Sequence, residues 1–353
     1  MGKHAENEVD LESLAALSAL GFDALVDARS PAEFAEDHVP GALNLPVLSN
    51  AERAEVGTLY VCESRFLARR IGAARVSRNI ADHLEGPLAS MGGGWRPLVY
   101  CWRGGQRSNS FATVLRQVGW RAAVLKGGYK AYRRLVVRAL YDAPIAPEVI
   151  LIDGGTGTAK TALLAGIAAA GGQVLDLEGM ANHRGSLFGL RGEQPSQKAF
   201  ESRLAMGLAG LDPARPVFVE AESSKIGARI LPPSLWKAMI AAPVITVSAP
   251  VSARAAYLSE AYADLTADLD KLLETLENLT RYHGHEQVGR WAGMAREGAF
   301  APLAAELVTQ HYDPRYARTS QRDAPPLARF DLSDLSPETL AQAAAEITRR
   351  FAN

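Results

Sequence analysis

The chain has 353 residues, of which 48% are hydrophobic and 22% are charged. This length and balance are typical of a globular protein with two ordinary cores, and they exclude a disordered or low-complexity chain. Only two cysteines occur, Cys62 and Cys101, which excludes a disulfide framework and a zinc site of four thiolates. No apolar run approaches the length of a membrane span, and the polar residues 1–8 predict no signal peptide. We therefore expect a cytoplasmic protein with no membrane partner.

The formal net charge of −1 is unevenly distributed along the chain. Residues 1–59 hold 3 Lys and Arg against 11 Asp and Glu, whereas residues 60–140 hold 15 against 3. This concentrated positive charge fits either the phosphate backbone of a nucleic acid or a solvated basic face, and charge alone does not distinguish the two.

The first part of the chain predicts an α/β domain with a parallel sheet. Short apolar runs at residues 24–27, 98–100 and 123–125 predict strands, and residues 108–118 predict a helix. We place this domain at residues 1–139. Residues 140–147 carry two prolines without periodicity and predict a linker.

The segment that follows the strand at 98–100 is the strongest chemical signal in this domain. Cys101 heads a loop with two glycines before a helix, so backbone N–H groups can converge on one site and favour a thiolate and a bound anion. We predict Cys101 as the nucleophile, with an anion pocket formed by Arg103, Gly104, Gly105, Gln106 and Arg107. Cys62 lacks such a loop and is predicted to be structural or incidental, with a role as a resolving thiol left open.

Further motifs around this loop resemble the rhodanese family. The resemblance is carried by residues 27–34, residues 38–46 and Leu125-Lys126-Gly127-Gly128-Tyr129. It implies a persulfide-type chemistry at Cys101. Five residues separate Cys101 from Arg107 where many rhodaneses have four, and the longer loop favours a phosphate-sized group. That spacing also matches cysteine-dependent phosphatases, which stay an alternative, although no general acid is identifiable near the loop.

A second α/β domain is predicted at residues 148–353. Its strands are predicted at residues 149–152, 174–177, 217–220 and 244–247, a helical extension at residues 252–310, and one more strand and helix from Arg329. The first strand runs into a phosphate-binding loop in which Ala159 replaces the usual glycine before the lysine. The predicted diphosphate site is Gly155, Thr156, Gly157, Thr158, Ala159, Lys160 and Thr161. Thr161 could hold Mg²⁺, but no dedicated protein metal site is predicted.

Other polar side chains follow the next predicted strands of this domain. Ligands bind at the carboxyl ends of strands in open α/β sheets, so we add a set of second-domain candidates. These are Glu178, His183, Arg184, Ser186, Glu220 and Glu222.

The combination of a cysteine loop with this phosphate loop resembles the tRNA 2-selenouridine synthase family over nearly the whole chain. The likeness extends through residues 100–108, 127–131, 176–186, 194–201 and 220–227. It implies geranylation of the wobble 2-thiouridine of tRNA with geranyl diphosphate, followed by replacement of the S-geranyl group with selenium from selenophosphate.

On this basis, we hypothesise that Cys101 takes selenium as a perselenide and delivers it to the uridine. Arg103 and Arg107 would bind the phosphate of selenophosphate, and the phosphate loop would bind geranyl diphosphate. A tRNA-facing stripe is predicted at Lys126, Lys130, Arg133, Arg134 and Arg138, with a solvated helix face as the alternative. Partners are tRNA bearing 2-thiouridine and an enzyme that supplies selenophosphate. Two alternatives stay open: a tRNA sulfurtransferase fused to an ATP-dependent kinase or NTPase, and a non-catalytic tRNA-binding protein.

Overall fold

The computed structural model describes residues 7–186, 188–189, 192–319 and 324–352, so most of the polar start lies outside the described residues. Two compact units emerge from the contacts between residues. The first contains the described residues up to Ala143 together with Pro195–Gly210, and the second contains Pro144–Gln194 and the described residues from Leu211 onward. One helix of the predicted second domain packs within the first unit. The predicted domain boundaries stay a prediction.

The first unit is a five-stranded sheet with helices, and every strand pair in it is parallel. The sheet order is β1-β5-β4-β2-β3. The elements are β1 (Glu8–Val9), α1 (Ala16–Ala19), β2 (Ala24–Asp27), α2 (Pro31–Glu36), β3 (Leu43–Asn44), α3 (Asn50–Cys62), α4 (Arg65–Glu85), β4 (Pro97–Tyr100), α5 (Gln106–Val118), β5 (Ala123–Leu125) and α6 (Gly128–Val137), which a π-helical turn, Arg138–Asp142, continues.

The core of the first unit explains why these apolar runs form central strands. All four residues of β4 are buried, as are all three of β5. Val99 and Val124 pack in one cluster with Ile80 of α4 and with Phe111 and Leu115 of α5. A strand that is covered by helices reads as a continuous apolar run, which is why the sequence predicted β4 and β5 correctly.

One helix of the first unit comes from much later in the chain. In α9 (Gln197–Ala209), Ser202 Oγ donates to a carboxylate oxygen of the buried Asp37 at 2.9 Å. Glu201 forms an ion pair with Arg133 and accepts from Tyr141 Oη at 2.8 Å. These polar contacts join segments 60 or more residues apart, so local sequence patterns did not predict them.

The second unit has its own five-stranded parallel sheet, of order β12-β11-β6-β8-β7, and a short antiparallel pair, β9 and β10. The elements of the sheet half are β6 (Val149–Asp153), α7 (Lys160–Ala169), β7 (Gln173–Leu175), α8 (Leu177–Ala181), β8 (Val217–Glu220), β9 (Lys225–Ile226), β10 (Arg229–Ile230), α10 (Pro233–Ala241) and β11 (Val244–Ser248). The later elements are α11 (Val251–Ala261), α12 (Ala263–Thr266), α13 (Leu269–Glu277), α14 (Thr280–Arg296), α15 (Phe300–Leu307), a π-helical turn (Val308–Tyr312), α16 (Asp313–Thr319), β12 (Ala328–Asp331) and α17 (Pro337–Phe351).

Several sequence expectations for this unit are confirmed and two need correction. The tail does form a strand and a helix, and β12 extends the edge of the sheet beside β11. The predicted strand at 174–177 ends earlier, because the Asp176 side chain accepts from Gly179 N and starts α8 at Leu177. The predicted helical region from 252 to 310 is a succession of helices with its own apolar cluster around Leu276 and Trp291. No helix in the described part of the chain is long and apolar enough to cross a bilayer.

Candidate functional site

Cys101 lies at the carboxyl end of β4, in the loop that leads into α5. Its side chain is buried, and Sγ lies 3.2 Å from Ser108 Oγ. The Ser108 hydroxyl is also 3.2 Å from the carbonyl oxygen of Gly105, so it can donate to that oxygen or to a thiolate. The loop therefore holds the sulfur next to a hydroxyl that can stabilise either protonation state.

The loop adopts its shape through close backbone packing against the start of α6. Gly104 has a φ of +66°, and a Cβ on it would lie 2.7 Å from the carbonyl oxygen of Leu125. Gly128 has a φ of +55°, and a Cβ there would overlap the carbonyl oxygen of Cys101. Tyr129 N donates to that same oxygen at 2.8 Å. Only glycine permits both this conformation and this approach.

The two predicted phosphate-binding arginines have different surroundings. Arg103 is exposed in the loop, Gly105 is the N-cap residue of α5, and Gln106 is its first residue. Arg107 points its guanidinium at Glu33, whose carboxylate oxygens lie 2.7 and 3.3 Å from its N–H groups. Burial acts to raise the pKa of Glu33, but the hydrogen bonds and the charge of Arg107 hold that pKa below its ordinary value. Arg107 thus helps to fix α2 against the loop. Cys62 is exposed at the end of α3.

The phosphate-binding loop connects β6 to α7 at the middle of the second sheet. Every residue of the predicted diphosphate site except Gly155 lines one cleft, and Gly154 lines it too. Lys160 Nζ donates to the carbonyl oxygen of Gly154 at 2.8 Å, which keeps its charge over the loop. A helix N-terminus and a lysine at one position form a site suited to phosphate.

Ala159, the residue that replaces a glycine, adopts the left-handed conformation that glycine would. Its φ is +58° and its ψ is +31°, and its side chain is buried at the start of α7. The left-handed conformation destabilises an L-residue that has a Cβ by about 1–2 kcal/mol. The loop therefore keeps the usual backbone path at a cost in stability.

This strain gives a testable expectation for stability. Ala159→Gly should raise the free energy of unfolding of the second unit by about 0.5–1 kcal/mol, because relief of strain exceeds the added entropy of the unfolded chain. The same change at Ala165, which is exposed and within the right-handed α7, should lower it by up to about 1 kcal/mol. Urea denaturation followed by circular dichroism measures both. Equal destabilisation by the two variants would contradict the strained conformation.

Three carboxylates face the phosphate loop from the ends of neighbouring strands. Glu178 lies shortly after β7. Glu220 is the last residue of β8, and Glu222 lies just beyond it. Their ligand atoms lie within 4.8 Å of one another. Thr161 Oγ1 donates to Glu220 Oε1 at 2.7 Å, with Glu178 Oε2 at 3.3 Å, while the buried Glu220 Oε2 has no hydrogen-bond partner among the described residues. Such an oxygen-only donor set with an unsatisfied buried oxygen fits a hard divalent cation such as Mg²⁺.

Burial and mutual repulsion change the acidity of all three groups. Burial, with the charge of Glu222, raises the pKa of Glu178 to about 8. Burial, with the charge of Glu178, raises the pKa of Glu220 to about 7. Burial raises the pKa of Glu222 to about 6 against the opposing charge of Lys160. The cluster holds protons at neutral pH unless a cation neutralises it.

The raised pKa values predict how stability depends on pH. Because the folded state holds protons that the unfolded state releases near pH 4.5, this stabilisation is complete below pH 4.5 and is lost as pH rises through about 6 to 8. In EDTA, the free energy of unfolding of Glu178→Gln, relative to that of the wild type, should therefore rise by at least about 1.4 kcal/mol from pH 5 to pH 9. Thermal unfolding across that range measures the difference. Glu286→Gln, at an exposed position, is the matched control. A stability profile of Glu178→Gln that runs parallel to that of the wild type across this pH range would refute the expectation.

The remaining second-domain candidates divide between the cleft and its support. Arg184 and Ser186 line the cleft with the three carboxylates, whereas His183 is buried and does not line it. His183 Nδ1 accepts from Gly185 N at 3.0 Å, so it shapes the loop. Arg184 donates to Asp264 at 2.8 Å, and two of its buried nitrogens, Nε and Nη1, have no partner among the described residues.

Comparison with known proteins decides the family. The family model described as the tRNA 2-selenouridine synthase AAA domain matches residues 147–335, and the rhodanese-like domain model matches residues 10–135. A tRNA 2-selenouridine synthase of Pseudomonas syringae pv. tomato is 32% identical over 85% of this chain and 89% of its own. One from Psychromonas ingrahamii is 34% identical over 69% of this chain and 66% of its own, just under two thirds of that relative. The chain belongs to the tRNA 2-selenouridine synthase family.

Membership of the tRNA 2-selenouridine synthase family confirms the predicted fold class. The first unit carries the rhodanese-like domain with its parallel sheet, and the second carries the P-loop-containing α/β domain with a helical extension. The cysteine loop and the phosphate loop each lie in a region that its family model matches. The functions of the individual residues stay predictions.

In this member of the tRNA 2-selenouridine synthase family, the phosphate loop is supported by a residue pair that the sequence did not predict. Arg254 of α11 is buried and donates twice to the carbonyl oxygen of Thr156, at 2.7 and 2.9 Å. The same guanidinium makes a two-bond ion pair with Asp313, at 2.6 and 3.0 Å. These residues lie about 100 and 160 positions beyond the loop and match no local motif, so no signal in the sequence identified them.

The predicted basic stripe is only partly on the surface. Lys126, Lys130, Arg134 and Arg138 are exposed at intervals of four residues and lie along α6 and its ends. Lys126 pairs with Asp10 at 3.0 Å. Arg133 is partly buried and binds Glu201, so it supports the contact with α9. The structure therefore keeps four residues of the stripe together and separates Arg133 from them.

Proposed function

We propose that the chain is a tRNA 2-selenouridine synthase that geranylates wobble 2-thiouridine and then replaces the S-geranyl group with selenium. The observation that carries this proposal is the presence, in one member of this family, of a buried cysteine in a rhodanese-type loop and an intact phosphate loop with Lys160. A thiol site and a diphosphate site are the two sites that the two reactions need.

In the first reaction, the sulfur of 2-thiouridine attacks C1 of geranyl diphosphate. A C–S bond forms, the C–O bond breaks, diphosphate leaves with the bonding electron pair, and N3 of the uridine releases its proton to water. Lys160 and the amides at the start of α7 would stabilise the charge that grows on the leaving group. Arg184 supports this assignment, because its side chain lines the same cleft and a guanidinium group is suited to phosphate oxygens.

The three carboxylates would otherwise repel a bound diphosphate. A Mg²⁺ ion held by Glu178, Glu220 and Glu222 with the Thr161 hydroxyl would neutralise them and supply charge to the phosphate oxygens. Without the ion, their raised pKa values reduce the repulsion, because part of the cluster is then protonated at neutral pH.

In the second reaction, selenium replaces the S-geranyl group at C2 of the uridine. The Cys101 thiolate and the selenium of selenophosphate are both fully reduced, so a perselenide on Cys101 would need an electron acceptor. A redox-neutral route avoids this requirement. The Cys101 thiolate attacks C2 and geranylthiolate leaves, the selenium of selenophosphate then attacks C2 and the thiolate leaves, and water cleaves the P–Se bond to release phosphate.

Charged groups around these sites support binding of the two other substrates. The exposed Arg103 would bind the phosphate of selenophosphate beside the cysteine loop, while Arg107 orders the loop through Glu33. Lys130, Arg134 and Arg138 would contact the tRNA backbone with Lys126 at the edge. An enzyme that makes selenophosphate is the partner that this reaction requires.

Mass spectrometry of wobble nucleosides tests the proposal. The full chain is incubated with 2-thiouridine tRNA, geranyl diphosphate, selenophosphate and Mg²⁺, and each co-substrate is omitted in turn. We expect geranylated nucleoside without selenophosphate, and 2-selenouridine only with both. Unchanged nucleosides from a folded protein that binds the tRNA would overturn it.

The contact between Thr161 and Glu220 favours one second candidate, an ATP-dependent kinase or NTPase fused to a tRNA sulfurtransferase. A hydroxyl from the phosphate loop beside an acid at the end of a neighbouring strand is the arrangement that holds Mg²⁺ in many NTPases. Turnover of ATP by the purified protein without tRNA would support this candidate, and its absence would favour geranyl transfer.

A further inference from the structure

Helices α3 and α4 form an antiparallel arm of the first unit. Arg75 of α4 binds Glu55 of α3 at 2.7 Å. Asn79, one turn further along α4, donates at 2.9 Å to Glu52, three residues earlier in α3. No residue of α3 is buried, α3 packs chiefly against α4, and α4 contributes to the apolar core of the unit from Val76 onward. The part of the arm before Val76 is therefore held chiefly by contacts between the two helices.

The base of the arm lies beside the cysteine loop. The Glu33 carboxylate binds Arg107 of that loop at 2.7 Å, and the guanidinium of Arg53, in the first turn of α3, lies 3.9 Å from it. From Arg53 to Cys62, the last residue of α3, the helix extends about 14 Å. At about 3.4 Å along a strand for each nucleotide, this is the length of about four nucleotides. An RNA loop of several unpaired nucleotides with one base at the cysteine loop is therefore long enough to reach the tip of the arm.

The tip of the arm exposes large apolar side chains. Val61 and Phe66 are 82% and 75% exposed, the two highest fractions among the large apolar side chains that the structure describes. Tyr60 is 43% exposed. These three side chains lie within seven residues of one another at the turn between the two helices. An exposed apolar patch of this kind indicates an interaction site.

Arginines lie next to these apolar side chains. Arg69 and Arg70 are exposed three and four positions after Phe66, so they are its neighbours on the surface of α4. The exposed Arg65 has its guanidinium over the Tyr60 ring, 5.6 Å from the ring centroid. None of these three arginines forms a salt bridge with the residues that the structure describes. Residues 60–80 hold five arginines against one acidic residue, so the tip carries positive charge.

We infer that this arm tip binds unpaired nucleotides of the tRNA next to the wobble position. The arm tip consists of Tyr60, Val61, Arg65, Phe66, Arg69 and Arg70. Unpaired RNA offers the two groups that match it, because base faces stack on exposed aromatic rings and phosphates pair with arginine. This surface is distinct from the basic stripe along α6. The inference rests on the proposed function, since it assumes that the same tRNA is the substrate at Cys101.

Fluorescence anisotropy with a labelled RNA tests the inference on the full chain. The probe is the anticodon stem-loop of a tRNA with a wobble uridine, and an RNA duplex of the same charge serves as the probe without unpaired bases. Loss of one base–aromatic stack weakens binding at least about fivefold. Phe66→Ala should therefore lower the affinity for the stem-loop by at least that factor and leave the affinity for the duplex unchanged. Phe66→Trp keeps an aromatic face and should bind the stem-loop as the wild type does.

The arginines are tested by the salt dependence of the same binding. Each phosphate contact to a single strand contributes about 0.7 to the slope of log affinity against log salt concentration. The double variant Arg69→Ala and Arg70→Ala should therefore lower the magnitude of the slope by about 0.7 to 1.4. Val118→Ala and Arg121→Ala are the matched controls, because both residues are exposed near the start of β5, at the opposite edge of the sheet from Cys101. They should change neither the affinity nor the slope.

The outcomes separate this inference from the proposed function, because binding is measured without the reactions. If the wild type binds the stem-loop through Phe66 but changes no nucleoside, the inference stands and the proposed reactions are wrong. If the wild type binds the stem-loop and the arm-tip variants bind it equally well, tRNA binding stands and the role of the arm tip is overturned. The inference is also overturned if Phe66→Ala leaves RNA affinity unchanged but alters the sedimentation mass or the binding to anionic phospholipid vesicles, because the tip then contacts a second copy or a membrane.

Discussion

Lys160→Ala should lower the rate of geranylation of 2-thiouridine tRNA by at least about a hundredfold, the typical cost of removing one preorganised charge from a transition state. Lys160 is the first residue of α7, and its ammonium group lies over the loop that would hold the diphosphate. Negative charge on the leaving diphosphate grows as the C–O bond breaks, so the loss should appear in the rate of the chemical step.

The same variant should still convert tRNA that already carries S-geranyl-2-thiouridine into selenated tRNA, because the second reaction releases no diphosphate. Single-turnover assays with each tRNA, followed by nucleoside mass spectrometry, measure the two rates separately. Lys237→Ala, at an exposed position of α10, is the matched control. Wild-type geranylation by Lys160→Ala would contradict the assigned role, and equal loss of both reactions would indicate a general structural defect.

The fold was predictable wherever burial is complete along an element. Residues 149–152 and 217–219 are continuous apolar runs because β6 and β8 lie in the middle of a sheet covered on both faces. The short strand β3 has no such run: Leu43 is exposed and Asn44 only partly buried. The helical extension was predicted as one region because its breaks depend on tertiary packing and on isolated glycines. Gly284, with a φ of +77°, kinks α14, and Gly298, with a φ of +72°, lies between α14 and α15.

The two loops were predictable for a different reason, since each is a short continuous motif between a strand and a helix. The residues that support these two loops were not predictable from the sequence. Arg254 and Asp313 reach the phosphate loop through the fold, and Glu33 takes up the charge of Arg107. Arg133 was grouped with the exposed stripe by its spacing, yet it pairs with Glu201 on a helix that begins about 60 residues later. Spacing gives the face of a helix, whereas a distant ion-pair partner must come from the structure.

Cys101→Ala should abolish selenation, with a loss of at least about a thousandfold, as expected when the nucleophile of a covalent route is removed. Geranylation should continue, so this variant should accumulate tRNA with S-geranyl-2-thiouridine when both co-substrates are present. The exposed Cys62→Ala is the matched control and should behave as the wild type in both reactions.

The loss of selenation must come from the missing sulfur and not from a disturbed loop. Cys101 Sγ touches the Ser108 hydroxyl, while the loop backbone is held by Gly104, Gly128 and Tyr129 through main-chain packing. The alanine variant should therefore keep the wild-type thermal midpoint within a few degrees, and Cys101→Ser should be as inactive as Cys101→Ala because a hydroxyl is a far poorer nucleophile than a thiolate at neutral pH. Full selenation by either variant would refute the role of the thiol, and it would leave direct attack of selenophosphate on C2 as the route.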